Sequence, residues 1–135
     1  MKKACLFVFL IPLFSFSQTN FEKAEKLFNQ EKYALAKPLF ENELKYSPNH
    51  IKTIEYLGDI SIHLNNLDKA ISYYRMLINF KPNDANFYYK YGGALGLKSQ
   101  AGGKWVAIRL IGDMRDSFEK ALSLKPNHLE ARWAL

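Results

Sequence analysis

The residues able to do acid, base, nucleophilic or metal chemistry are few and do not converge. His50 and His128 each follow a Pro-Asn turn and His63 stands alone on a helix, so no two histidines share ligand spacing with a carboxylate or cysteine. The single cysteine, Cys5, lies in an N-terminal apolar run, which removes thiolate catalysis and cysteine-based metal binding from the rest of the chain. The serines fall in that run, in turns and on helix surfaces, and Asp and Glu recur as ordinary helix-surface charges with no nucleophile beside them. Gly102-Gly103-Lys104 lacks the spaced first glycine, the hydroxyl residue after the lysine and the preceding strand of a phosphate loop. No catalytic, cofactor-binding or metal-binding residue is assigned, and the expectation is a protein that binds rather than catalyses.

The N-terminus differs in kind from the rest of the chain. Lys2 and Lys3 precede an uncharged stretch from Ala4 to Phe16, and Ser15 and Ser17 give a small-x-small pattern before Gln18. A stretch of 13 residues is shorter than the ~20 that span a bilayer, so an export signal cleaved after Ser17 is expected, with a periplasmic or secreted product. An uncleaved anchor is the alternative, which Pro12 and the short apolar length disfavour. Removing Lys2 and Lys3 lowers the basic count from 19 to 17 against 13 acids, so the net charge falls from +6 to +4. Such mild, dispersed basicity, without a basic aromatic-interleaved motif, argues against a nucleic-acid partner.

Beyond residue 17 the pattern is periodic. Pro48 and Pro82, Ala36 and Ala70, Phe40 and Tyr74, and Tyr33 and Leu67 all lie 34 residues apart, and Ala24, Gly58 and Gly92 continue the spacing. Each unit carries two apolar stripes at helical spacing, such as Ile54, Leu57, Ser61 and Leu64 followed by Leu67, Ala70, Tyr74 and Leu77, which predicts two antiparallel helices per unit. Small residues at 58 and 70 fit a close helix crossing. Ser47-Pro48-Asn49, Lys81-Pro82-Asn83 and Lys125-Pro126-Asn127 end the second helix of each unit, because proline lacks the amide hydrogen and restricts the residue before it.

The set Tyr56-Leu57-Gly58, Asn65 to Ala70, Tyr74 and Pro82 resembles a tetratricopeptide repeat. The resemblance implies an all-α solenoid of antiparallel helix pairs, working as an interaction scaffold for a peptide or a partner helix. Residues 18–50 read as a degenerate first repeat, 51–84 as the second, and 85–128 as a third. The third carries ten extra residues near 99–108, expected to lengthen its second helix at the start, since Pro126 lies 44 residues after Pro82. Residues 129–135 read as the start of a truncated fourth repeat. An assembly module of a longer envelope enzyme or receptor is the alternative function, and a structural spacer a third.

The family pattern assigns the inner face to Phe21, Glu25, Phe28 and Asn29, then Lys52, Glu55, Asp59, Ile62 and His63, then Tyr89. Of these, Phe28, Glu55, Asp59, His63 and Tyr89 are candidate partner contacts. Phe87 is a further possible contact, whereas Tyr88 and Tyr91 fall on the apolar stripe. Trp105, within the extra segment and near Lys104, Arg109 and Arg115, is a candidate anchor on a projecting arm, or with Ile108 a cover for the end of the stack or a contact for the rest of the fourth repeat. N-terminal sequencing of the protein recovered from outside the cytoplasm is expected to begin at Gln18; recovery of Met1 there would overturn cleavage.

Overall fold

The computed structural model describes residues 19–135, and the expected export signal, residues 1–17, lies outside them. The described residues form helices and no strand: α1 (Asn20–Asn29), α2 (Tyr33–Tyr46), α3 (Ile51–His63), α4 (Leu67–Phe80), α5 (Ala85–Leu124) and α6 (Leu129–Trp133). α1 pairs with α2, α3 with α4, and α5 doubles back on itself at Gly103. Three helical hairpins therefore stack in chain order, with α6 resting on the last.

Local chemistry fixes the ends. Thr19 and Glu22 form a reciprocal capping box at the start of α1, with Glu22 N donating to Thr19 Oγ1 at 3.2 Å and Thr19 N donating to Glu22 Oε2 at 3.1 Å. Ser47, Lys81 and Lys125, each before a proline, take nearly the same extended conformation (φ −129°, −133° and −140°), which stops α2, α4 and α5. The turns inside the first two hairpins place Glu31 (φ 59°) and Asn65 (φ 55°) at equivalent left-handed positions.

Within each hairpin an aromatic ring of the second helix lies on a small residue of the first. A Cβ added to Gly58 would sit 2.5 Å from Tyr74 Cε1, and one added to Gly92 would sit 2.9 Å from Phe118 Cε1. In the first hairpin the same places hold Ala24 and Phe40, both fully buried. The core runs continuously between hairpins, because Leu44 and Tyr73 pack against both the Phe40 and Leu57 cluster and the Tyr74 and Leu77 cluster.

The third hairpin departs from the expectation that the extra residues lengthen its second helix alone. Gly92 faces Phe118, Gly96 faces Met114 and Gly102 faces Val106, so limbs 85–102 and 104–124 run antiparallel up to Gly103. The first limb is five residues longer than the 13-residue α3, the second seven longer than the 14-residue α4, and the three-residue connection shrinks to one. The net gain is the ten residues expected, shared between both helices. Gly103 permits this with φ 75° and ψ −174°, a region open essentially to glycine alone. Met114 stands where the second hairpin has Ala70, while Gly96 stands where that hairpin has Ile62, so bulk is exchanged across the crossing rather than added.

Gly58→Ala is expected to cost about 1–3 kcal/mol, because Tyr74 must shift while its hydroxyl is held by Asp59. Gly93→Ala, also within a helix but with nothing within 4 Å, is expected to gain about 0.5–1 kcal/mol. Urea melts of the two variants test the contrast.

Candidate functional site

The first helices of the hairpins, α1, α3 and the first limb of α5, lie side by side and join through side chains one repeat less one helical turn apart. Tyr56 Oη donates to Glu25 Oε1 at 2.9 Å, Asn86 Nδ2 reaches Glu55 Oε1 at 3.5 Å, and Lys90 Nζ donates to both oxygens of Asp59 at 2.8 and 2.7 Å. Each of these pairs is 31 residues apart. Lys90 also meets Glu55 at 2.7 Å, and Lys52 meets Glu25 at 2.6 Å while lying over the Phe21 and Tyr56 rings. Tyr74 Oη adds a further bond to Asp59 at 2.7 Å.

This arrangement changes what the acids can do. Glu55 and Asp59 were expected to face a partner, and the structure brings them together on one half-buried ammonium. Lys90 was missed because it occupies the place of Tyr56 in the preceding repeat and of Glu22 in the first, and so follows no repeat rule. The 31-residue spacing to Asp59 is the signal that locates it. Burial pulls the Lys90 ammonium down, but the charges and hydrogen bonds of Asp59 and Glu55 outweigh it, and its pKa is raised. The bond from Lys52 holds the Glu25 carboxyl below its ordinary range. Burial, then the bond to Glu25, pushes Tyr56 up to about 12, and burial with Asp59 raises Tyr74 further.

Phe28 and His63 meet edge-on at 6.3 Å and share a third ring, Tyr33. His63 stacks on Tyr33 with centroids 4.0 Å apart, and Phe28 meets Tyr33 and Tyr56 edge-on at 5.4 and 4.8 Å. His63 is exposed and Phe28 half-buried. Tyr89 lies at the other end of the same face, beside Phe118 and His128, and lines an open cleft of about 830 Å³ between the turns at 80–86 and 124–130. Asn86, Lys81 and Lys125 share that cleft, and Asn86 joins it to Glu55. His128 is itself buried, with Nδ1 accepting from Ala131 N at 3.3 Å as the cap of α6.

One expectation is corrected by packing. Phe87 is only 4% exposed, because the first limb of α5 packs against both α4 and its own second limb and so buries more than one stripe. Tyr88 and Tyr91 pack against the core from its edge, half-buried, with Tyr88 Oη donating to the Pro82 carbonyl and Tyr91 Oη accepting from Arg75. Trp105 lies away from this face on the extended part of α5 and is 82% exposed. Among the described residues no group of three or more His, Cys, Asp or Glu is placed to hold a metal ion.

Residues 57–84 match the tetratricopeptide repeat family model. The fold is a tetratricopeptide-repeat solenoid. It is similar to the first such domain of Spaghetti (RPAP3), solved with the HSP90 peptide SRMEEVD, at 19% identity and TM-score 0.70 over 84% of this chain and 82% of that one. It is also similar to YrrB, described as having an unusual peptide-binding site, at 19% identity and TM-score 0.73 over 85% of this chain and 54% of that one. TTC0263, a thermophilic tetratricopeptide-repeat protein of Thermus thermophilus, matches at 16% identity and TM-score 0.75 over 87% of this chain. The chain spans 61% of TTC0263 and about half of YrrB. No curated protein matches the chain in sequence.

Lys90→Ala, which strands two half-buried carboxylates, is expected to cost about 2–4 kcal/mol, and Lys90→Met less because its stem keeps the packing. The raised pKa values of Lys90, Tyr56 and Tyr74 give stability that is complete below their ordinary values of 10.5 and 10.0 and lost as pH rises above them. Thermal melts should therefore fall steeply above about pH 10, less steeply in Tyr56→Phe.

Proposed function

We propose that the chain is an exported interaction scaffold that binds an extended peptide along the face of α1, α3 and the first limb of α5, rather than an enzyme. The observation that carries this reading is the open cleft beside Asn86 and Tyr89, which continues the face on which the charges are already paired. A groove in which Lys90 offsets one of the two charges of Glu55 and Asp59 keeps a single net negative charge there, too little to select a strongly basic peptide. It offers instead amide, phenol and lysine donors from Asn86, Tyr89, Lys81 and Lys125 to peptide carbonyls and carboxylates. The similarity to solenoids described with bound peptide or a peptide-binding site supports the same use of this face.

Export is part of the proposal and rests on Lys2, Lys3, the apolar stretch 4–16 and the small residues before Gln18. Among the described residues no helix is long and apolar enough to cross a membrane.

Selecting displayed random peptides against the chain, then measuring their affinity for Asn86→Ala and Tyr89→Ala, tests the groove. Each substitution is expected to weaken the selected peptides about tenfold or more. Failure to select any peptide, or selected peptides indifferent to both substitutions, would overturn it.

A further inference from the structure

The side-chain links between the first helices of the hairpins follow one rule until they stop. Offset by 31 residues, Glu25 meets Tyr56, Glu55 meets Asn86 and Asp59 meets Lys90. One turn further along, the same offset sets Ile62 of α3 opposite Gly93 of the first limb of α5, which has no side chain with which to make a link. Gly93 stands at the repeat position of Asp59, and a Cβ added to it would find nothing within 4 Å. The face is bare at this turn, and the backbone there is open to close approach.

The walls of the gap are apolar and already ordered. Beside Ile62, His63 is exposed and stacks on Tyr33 with centroids 4.0 Å apart and planes within 6°, while Phe28 stands edge-on to both. Phe28 is edge-on to Tyr56 at 4.8 Å in turn, and Tyr56 stacks at 4.7 Å on the fully buried Phe40. The exposed rings are thus rooted in the core, so a ligand that packs on them pays little for ordering them. On the limb side Leu97, at the repeat position of His63, is 42% exposed. A flat ring fits between an aromatic shelf and bare backbone, and it gains the edge and stacked geometries that a branched aliphatic side chain does not.

We propose that this gap takes an aromatic side chain of the bound peptide, its ring against His63 and Tyr33 and its backbone passing over Gly93. This use of the gap rests on the peptide-binding reading above and adds to it the class of residue that the groove selects. Gly93 lies four residues from Tyr89 and seven from Asn86, about 6 and 10 Å along the limb, which an extended chain crosses in about two or three residues. The ring is therefore carried about two or three residues from the peptide groups that meet the cleft.

The test selects displayed random peptides of about twelve residues on the chain and measures the enriched ones by calorimetry. They are expected to share a Phe, Tyr or Trp, whose replacement by Ala weakens binding about tenfold on the unaltered chain and about twofold or less on His63→Ala. Gly93→Leu places a side chain in the gap where nothing stands in its way, so its urea midpoint should equal or exceed that of the unaltered chain. The same variant should weaken the ring-bearing peptide about tenfold and leave its Ala counterpart unchanged, a contrast that an unfolded variant does not show. Peptides that depend on Asn86 and Tyr89 but share no ring, or that carry an arginine or an aliphatic residue in its place, would overturn this inference and leave the groove standing. So would a shared ring whose contribution is indifferent to both His63→Ala and Gly93→Leu. Selection of no peptide at all removes both readings.

Discussion

The contact on which the stack depends is an aromatic ring packed against a residue with almost no side chain. Phe40 on Ala24, Tyr74 on Gly58 and Phe118 on Gly92 each bring two helix backbones close enough that a larger group between them has nowhere to go. With the crossing fixed there, the faces presented by the two helices are fixed as well. The second helix of one hairpin then meets the first helix of the next in a reproducible register. Tyr74 shows the coupling most directly, since the ring that sets one hairpin also donates to Asp59, which binds Lys90 of the next. The residues that space the helices therefore also help to place the charges.

That chain of dependence explains what could be read in the sequence. Prolines, small residues and aromatics recur at 34 residues because each must fit the same crossing, and the periodic pattern alone predicts helix pairs. The polar links between repeats were hidden by comparing like positions with like. Residue 90 is a lysine, residue 56 a tyrosine and residue 22 a glutamate, so no common type marks the site. Offset by one helical turn, however, Glu25 finds Tyr56, Glu55 finds Asn86 and Asp59 finds Lys90. The burial of Phe87 was missed for a related reason: a helix clasped between two neighbours buries two faces, and a single-stripe pattern reports one. The bend at Gly103 depended on a backbone conformation that residue type permits but does not require.

Pairing within the face narrows the chemistry left for a partner. The ion pairs also decide which charges remain available to a ligand. Glu25 is taken by Lys52, and Glu55 and Asp59 share Lys90, so the face reads to a ligand as polar with one net negative charge at its centre. Shape, aromatic surface and hydrogen-bonding capacity then discriminate between ligands there, at Tyr33 and His63 on one side and at the cleft beside Asn86 and Tyr89 on the other.

The arm obeys the opposite logic while remaining part of the same helices. Adding about one and a half to two turns to each limb extends the hairpin by roughly 8–10 Å without disturbing the ring-on-glycine contact at its base. Lys98 binds Asp68 and ties the lengthened limb to the start of α4, so the extension is braced where it leaves the stack. Beyond that brace the first limb offers Gly102 to Val106, and the second limb turns Trp105, Ile108 and Ile111 outward. A hairpin lengthened only for stability gains nothing from that outward stripe, because an isolated pair of limbs needs a single buried seam. Two apolar faces on limb 104–124, one toward its own partner limb and one open, match the needs of a helix that sits between two others, as α4 does between α3 and α5.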